Sequence, residues 1–187
     1  MSESLCGHYL IAGCRLRDPN FFKTVVLIVE HNDEGAMGLV INRPSSISVS
    51  NALAGHFDLP DNGEMVYCGG PVVPGDLFVL HDLSEMEPED TSIAEGLYVG
   101  CSGDTFERVI GAVMQERTLK YRVYSGCAGW GPGQLEGELA RGDWFTLPAC
   151  AEFAFHQDPY CVWDEVLKRF HQAKRILPHS TPNPEAN

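Results

Sequence analysis

Basic charge is what this sequence has least of. Thirteen lysines and arginines stand against 26 aspartates and glutamates in 187 residues, a formal net charge of −13. A field of that sign repels nucleic acid and anionic membrane surfaces unless the cations gather on one face. The one dense gathering is Lys168, Arg169, Lys174 and Arg175. It falls near the end of the last expected helix, where cations suit the negative end of the helix dipole; a phosphate-binding patch is the alternative. Long apolar runs are missing too, since none approaches the roughly 18 residues that a membrane-spanning helix needs. Residues Met1 to His8 lack the basic flank and apolar centre of a secretory signal. These absences point to the cytoplasm and away from membrane and nucleic-acid partners.

Reactive signatures are equally scarce. There is no Gly-x-Ser-x-Gly elbow, no Walker-type Gly-Lys-Ser/Thr and no full Gly-x-Gly-x-x-Gly. The nearest approach, Gly131 to Glu136, ends in a glutamate that would repel a pyrophosphate. The seven cysteines, Cys6, Cys14, Cys68, Cys101, Cys127, Cys150 and Cys161, include no Cys-x-x-Cys pair and no regular spacing. Most therefore read as small apolar residues in a reducing compartment. Only Cys6 with His8 comes near a zinc-ligand spacing. No metal and no cofactor is expected.

What is present suits one domain with a sizeable core, 44% hydrophobic and 21% charged. The densest local information lies in Tyr124 to Leu139, where an alternating run from Tyr121 enters a turn with Gly126, Gly129, Gly131 and Gly133. Leu135 and Leu139, four apart, then open a helical face. So many glycines imply positive φ angles or a close backbone approach. We read a strand, a glycine corner and a helix, with Trp130 as the pin and Pro132 in the first helical turn.

Elsewhere, Tyr9 to Ala12 and Thr24 to Val29 read as strands. The second is a continuous β-branched run, hence covered on both faces and central. Glu30 to Gly35 is a polar hairpin turn, and Ala36 to Ile41 returns until Pro44 ends the pairing. A short helix is expected around Ala52 to Ala54. Strands follow at Met65 to Cys68, Leu77 to Leu80 and Leu97 to Val99, with an acidic loop over Ser84 to Thr91. An amphipathic helix begins at Thr105, its stripe Phe106, Val109, Ile110, Val113 and Met114; Asp104 and Glu107 have capping-box spacing. Trp144 to Leu147 and Ala151 to Phe155 read as strands. Asp158 and Pro159 open a last helix with Trp163, Val166, Leu167 and Phe170 buried. Many short strands with two or three helices make an α+β domain. It should occupy residues 1–177, followed by a disordered tail over 178–187.

Three segments together resemble the AlgH/YqgE family, a bacterial group labelled transcriptional regulators. They are Asp18 to Pro44, including Glu30-His31-Asn32 and Gly35 to Pro44; Val66 to Pro71 with Phe78 to His81; and Ala128 to Glu136 with Glu138, Leu139 and Trp144. The resemblance runs from about Gly7 to about Arg169. It implies a single α+β domain with a bifurcated, partly barrel-like, mostly antiparallel β-sheet flanked by helices, and no established reaction. This chain departs from the pattern at Cys127, where tyrosine is usual, and at Lys23, where arginine is usual.

Several residues are candidates for a site. Glu30 and His31 end a buried strand but point to opposite faces, and Asn32 follows them. Asn42 and Arg43 end the neighbouring strand, where a Glu30–Arg43 ion pair pinning the hairpin is the structural alternative. Gly69 and Gly70 end a strand, and His81 closes another. Trp130 and Gln134 mark the glycine corner, whose amides could face an anion. All of these lie at strand ends, so the hairpin tip, His81 and the corner are expected to converge on one cleft. The function this favours is a non-catalytic regulatory or adaptor module that binds a protein or small-molecule ligand. The alternative is a small-molecule enzyme using Glu30, His31 or His81, and direct DNA binding comes third because of the net charge.

Overall fold

The β-branched run from Val25 becomes the buried spine of one arm of the sheet. In the computed structural model, which describes residues 4–83, 91–115 and 118–175, β2 (Val25–Asn32) is paired on both sides. One neighbour is β1 (His8–Ala12) and the other β3 (Gly35–Val40), both antiparallel. Val25 to Val29 are no more than 1% exposed. That is the expectation for a strand with apolar residues on both faces. The hairpin turn is shorter than the sequence suggested: β2 continues through Asn32, leaving only Asp33 and Glu34 between the strands. A bulge between Ile28 and Glu30 shifts the register.

The sheet runs in the order β10 (Trp144–Pro148), β1, β2, β3, β9 (Tyr121–Trp130), β6 (Val72–His81), β8 (Leu97–Gly100), β7 (Thr91–Ala94). Two further strands, β4 (Pro44–Ser48) and β5 (Met65–Cys68), form a side branch. The architecture is a single-domain α+β fold with a curled, mostly antiparallel sheet, and among the described residues the one parallel pairing is β5 with β9. Strand β9 is where the sheet divides. One of its edges carries β6. The other is shared, with Ala128–Trp130 pairing β3 and Tyr124–Ser125 pairing β5.

Glycine makes the division sterically feasible. The Gly69 amide donates to the Ser125 carbonyl at 2.9 Å, and the Gly69 carbonyl accepts from the Val40 amide at 2.8 Å. A Cβ on Gly69 would lie 2.2 Å from the Gly126 carbonyl oxygen. Three backbones thus meet where no side chain fits.

Two apolar clusters form, and successive residues of β5, β6 and β9 alternate between them, while both faces of β2 lie in the larger. The larger includes Tyr9, Ile28, Leu39, Tyr124, Trp130 and Trp144 and is closed by α4 (Ala151–Ala154) and α5 (Val162–Arg175) through Phe153, Val162, Trp163, Val166 and Phe170. The smaller joins Val66, Val79 and Val123 to α1 (Val49–Ala52) and α2 (Gly103–Met114). Arg122 leaves β9 for the interior, 8% exposed. It donates to the carbonyls of Ala154 and His156, and its guanidinium lies 4.6 Å from the Tyr67 ring centroid. It ties the end of α4 to the dividing strand.

Several local expectations are corrected. Strand β9 runs unbroken through Gly126 and Gly129 to Trp130, so the corner contracts to Gly131–Gly133, and α3 (Gln134–Arg141) starts after Pro132 with left-handed Gly133 as its N-cap. Pro44 opens β4 instead of ending pairing, a place where its missing N–H costs nothing. Ala151 to Ala154 form a helical turn, with Phe153 and Ala154 buried. Asp158 caps a turn, accepting from the Tyr160 amide at 2.9 Å, and α5 begins only at Val162. Ser102, not Asp104, caps α2 by accepting from the Thr105 amide. Thr91, placed in a loop from sequence, starts β7. The acidic residues 84–90 and the expected tail from 178 lie outside the described residues.

The dividing point yields a stability prediction. Gly69→Ala should cost at least about 2 kcal/mol in urea unfolding, because a Cβ there meets main chain that has no room to yield. Gly111→Ala, in α2 with nothing within 4 Å of the new Cβ, should instead stabilise by about 0.5–1 kcal/mol through helix propensity.

Candidate functional site

Trp130 ends β9 and Trp144 opens β10, and both indole N–H groups reach the same carboxylate. Glu138 Oε2 accepts from Trp130 Nε1 at 2.9 Å and from Trp144 Nε1 at 2.8 Å. Its other oxygen accepts from Gln134 Nε2 at 3.0 Å, and Gln134 Oε1 accepts from the Gly131 amide at 3.1 Å. Phe21 completes the group, 6.2 Å from Trp130 in a stacked arrangement and 5.4 Å edge-on to Trp144. Leu135, on the face of α3 that turns inward, is 1% exposed. Helical spacing thus puts Gln134 and Glu138 one turn apart beneath the corner.

Against this knot stands the tip of the β2–β3 hairpin. Ala36 is paired with Trp130, so the corner and the tip are neighbours. They enclose two clefts. One, of about 210 Å³, is lined by Glu30, Asn32, Glu34, Gly35, Met37 and Trp130. The other, of about 230 Å³, is lined by Ser4, His31, Asn32, Asp33, Gly133 and Glu136. Asn32 belongs to both, and its Oδ1 accepts from the Glu34 amide, holding the tight turn. Glu30, Asp33 and Glu34 are exposed and make no ion pair among the described residues.

His31 is held from both ring nitrogens. Nε2 lies 2.8 Å from Glu136 Oε1, and Nδ1 accepts from the Leu5 amide at 2.9 Å. An amide N–H only donates, so Nδ1 carries the lone pair and Nε2 the proton. The Glu136 carboxyl is held below the ordinary glutamate value, chiefly by its own backbone N–H and then by the His31 imidazole. Glu30 faces away from this pair, as strand alternation requires.

The remaining candidates divide sharply. Asn42, 8% exposed, acts as a piece of main chain, accepting from the Val25 amide and donating to the Lys23 carbonyl, both at 2.9 Å. Arg43 Nη2 donates to the carbonyls of Phe22 and Pro19 at 2.9 and 3.3 Å and makes no pair with Glu30. Both residues shape the loop that seats Phe21. Gly69 and Gly70 sit at the backbone crossing, where a Cβ on Gly70 would lie 2.2 Å from the carbonyl carbon of Cys127. His81 is fully buried, stacked 5.7 Å from Tyr98, and paired with Tyr121. Tyr121 and Trp130 are the two ends of β9, about 30 Å apart at the strand rise per residue. The hairpin tip and the corner therefore meet, and His81 does not join them.

The two departures also find places. Cys127 is buried opposite Val72, and burial raises its thiol pKa. The Lys23 ammonium lies 4.8 Å from the Trp163 ring centroid, a cation–π contact. Sequence reasoning missed the partners Glu136 and Glu138. Their spacing from Gln134 on a helix, two residues for Glu136 and four for Glu138, was legible, but which strand ends they would meet was not. No three His, Cys, Asp or Glu side chains among the described residues are arranged to hold a metal ion. None of the described helices is long and apolar enough to cross a membrane.

Comparison with known proteins gives a consistent result. The chain matches the AlgH-like family over residues 9–174. It is 37% identical over 169 residues to a UPF0301 protein of Myxococcus xanthus (strain DK1622), covering 89% of this chain and 91% of that protein. It is 39% identical over 187 residues to a UPF0301 protein of Shewanella sp. (strain ANA-3), covering 94% and 92%. The solution structure of the AlgH protein from Pseudomonas aeruginosa superposes with a TM-score of 0.71 at 33% identity, covering 100% of this chain and 99% of that one.

Removing the shared acceptor tests the knot. Glu138→Ala leaves two indole N–H groups without their partner and should cost about 2–4 kcal/mol in chemical unfolding. Near-ultraviolet circular dichroism should weaken as the rings lose their fixed geometry. Glu138→Gln, which keeps an acceptor oxygen but loses its charge, should cost less than half as much.

Proposed function

This chain belongs to the AlgH-like family, and from that premise we propose that it is a non-catalytic regulatory or adaptor protein that binds a cation-bearing segment of a partner protein. The binding surface is the acidic tip of the β2–β3 hairpin together with the Trp130 corner. One observation carries the reading: Glu30 near the end of β2 and Asp33 and Glu34 in the two-residue turn are exposed, without an ion pair among the described residues, beside a knot of aromatic rings. Carboxylates held in place lose little freedom on engaging a guanidinium or ammonium group, and their common sign steers such a partner in. Two clefts beside them offer room for side chains.

The residues offered as catalysts support the same reading. His81 is sealed in the core, and His31 has both nitrogens committed. General acid–base work needs a group that reaches a substrate proton. Direct contact with DNA finds little support, because the cations of α5 are partly spent within the chain. Arg169 pairs with Glu152 and overlies Phe153, and Lys174 overlies Phe170. Seven free thiols are in keeping with action in the cytoplasm.

The test is a titration with an arginine-rich peptide, followed by calorimetry at low and physiological salt. Replacing Glu30, Asp33 and Glu34 by their amides should weaken binding about tenfold or more, with the thermal midpoint nearly unchanged. Neutralising Asp58, Glu95 and Asp164, exposed carboxylates away from the tip, is the control. Equal weakening in both variants would show that only net charge matters and would overturn the proposed surface.

A further inference from the structure

The N-terminal segment crosses the end of β2 and is fastened there by three contacts. Ser4 Oγ donates to the His31 carbonyl at 3.1 Å, the Leu5 amide donates to His31 Nδ1 at 2.9 Å, and the Cys6 thiol donates to the Val29 carbonyl at 3.2 Å. As pH falls only the middle one is at risk, because the Cys6 thiol, its pKa raised chiefly by burial, keeps its proton. Its acceptor is an imidazole nitrogen that must be bare, on a side chain 5% exposed whose other nitrogen already gives its proton to Glu136.

We propose that Ser4–Cys6 form a strap latched by the neutral imidazole of His31, so that protonation of this ring and closure of the strap exclude each other. A proton added at Nδ1 would face the Leu5 N–H donor to donor, and no rotation of the ring restores an acceptor, because an imidazolium has none. Charged groups face the ring from two neighbouring elements. Glu136 of α3 stands 2.8 Å away, and Asp33 of the hairpin turn lines the same cleft. Glu30, next to His31 on β2, acts on the strap itself by raising the Cys6 thiol pKa alongside burial. His8 is the other imidazole near the segment, with Nδ1 3.4 Å from the Cys6 carbonyl. Beyond Cys6 the chain is anchored independently, through the Gly7 amide on the Ile28 carbonyl and the pairing of β1. Opening therefore stops there. The sign follows from proton counting: the open form binds one more proton than the closed form. Closure is complete at alkaline pH and is lost as pH falls, with the opening constant rising about tenfold per pH unit once the open-form ring is protonated.

The experiment is amide hydrogen exchange of the full chain by NMR between about pH 8 and pH 5, the interval in which histidines titrate. The imidazole nitrogens are read in the same samples. Support requires a bare Nδ1 and a protonated Nε2 on His31 at the upper end. Leu5 protection, corrected for intrinsic exchange, should fall at least tenfold towards the lower end while the Gly7 amide stays protected. In Glu136→Gln the fall should move to lower pH, since the neighbouring charge that favours the imidazolium is gone. In His31→Gln the protection of Leu5 should no longer depend on pH, and in His8→Gln it should behave as in the parent chain. The opposite tautomer at the upper end, Leu5 protection that does not change with pH, or a fall that persists in His31→Gln would each overturn the latch.

Discussion

Two indole N–H groups ending on one carboxylate oxygen hold together the part of this molecule that faces outward. Glu138 accepts from Trp130 and from Trp144, and those two rings belong to strands at different places in the sheet. One closes the dividing strand β9; the other begins the edge strand β10. A partly buried polar donor without a partner is costly, so the geometry of α3 is fixed by the need to deliver one carboxylate to both rings. Gln134, one turn earlier, then turns the corner's main chain towards the same group. The hairpin tip inherits its position from this arrangement, because Ala36 is registered on Trp130.

At the other end of the same logic lies the crossing of Gly69 and Gly126. There the stabilising element is the absence of side chains, which lets β3 and β5 share one edge of β9 while β6 occupies the opposite edge. Where the sheet divides, alternate residues of β5, β6 and β9 enter the two apolar clusters. Arg122 links the division to the helical layer by placing its guanidinium on carbonyls at the end of α4. The polar residues that resemble a reactive constellation in the sequence mostly serve these purposes. Asn42 replaces main-chain hydrogen bonds at the start of β2, and Arg43 holds the loop that seats Phe21 against the two tryptophans.

The tip of the β2–β3 hairpin carries exposed charge of one sign, from Glu30, Asp33 and Glu34. Its exposed carboxylates stand on the end of β2 and on the tight turn that follows, while His31 and His81 are turned inward. The one histidine near that surface, His31, is spent on a main-chain amide and a glutamate. A hairpin tip arranged in this way presents charge at the surface.

What depends on nearest neighbours along the chain could be read from the order of residues alone. The buried run Val25 to Val29, the hairpin to Ala36, the stripe of α2, the apolar face of α5 and the family segments were legible because strand and helix periodicities are local. That order also marked Trp130 as a pin and the glycines as a place of close approach. Only the tertiary structure decided what each pin was fastened to. The meeting of His31 with Glu136 across a sequence separation of 105, the meeting of Gly69 with Gly126, and the distance of His81 from the corner along β9 all follow from strand order. Strand order is set by which apolar faces bury against one another across the whole chain. The same dependence explains the errors over Ala151 to Phe155 and Pro44, where short segments took the conformation that their distant neighbours required.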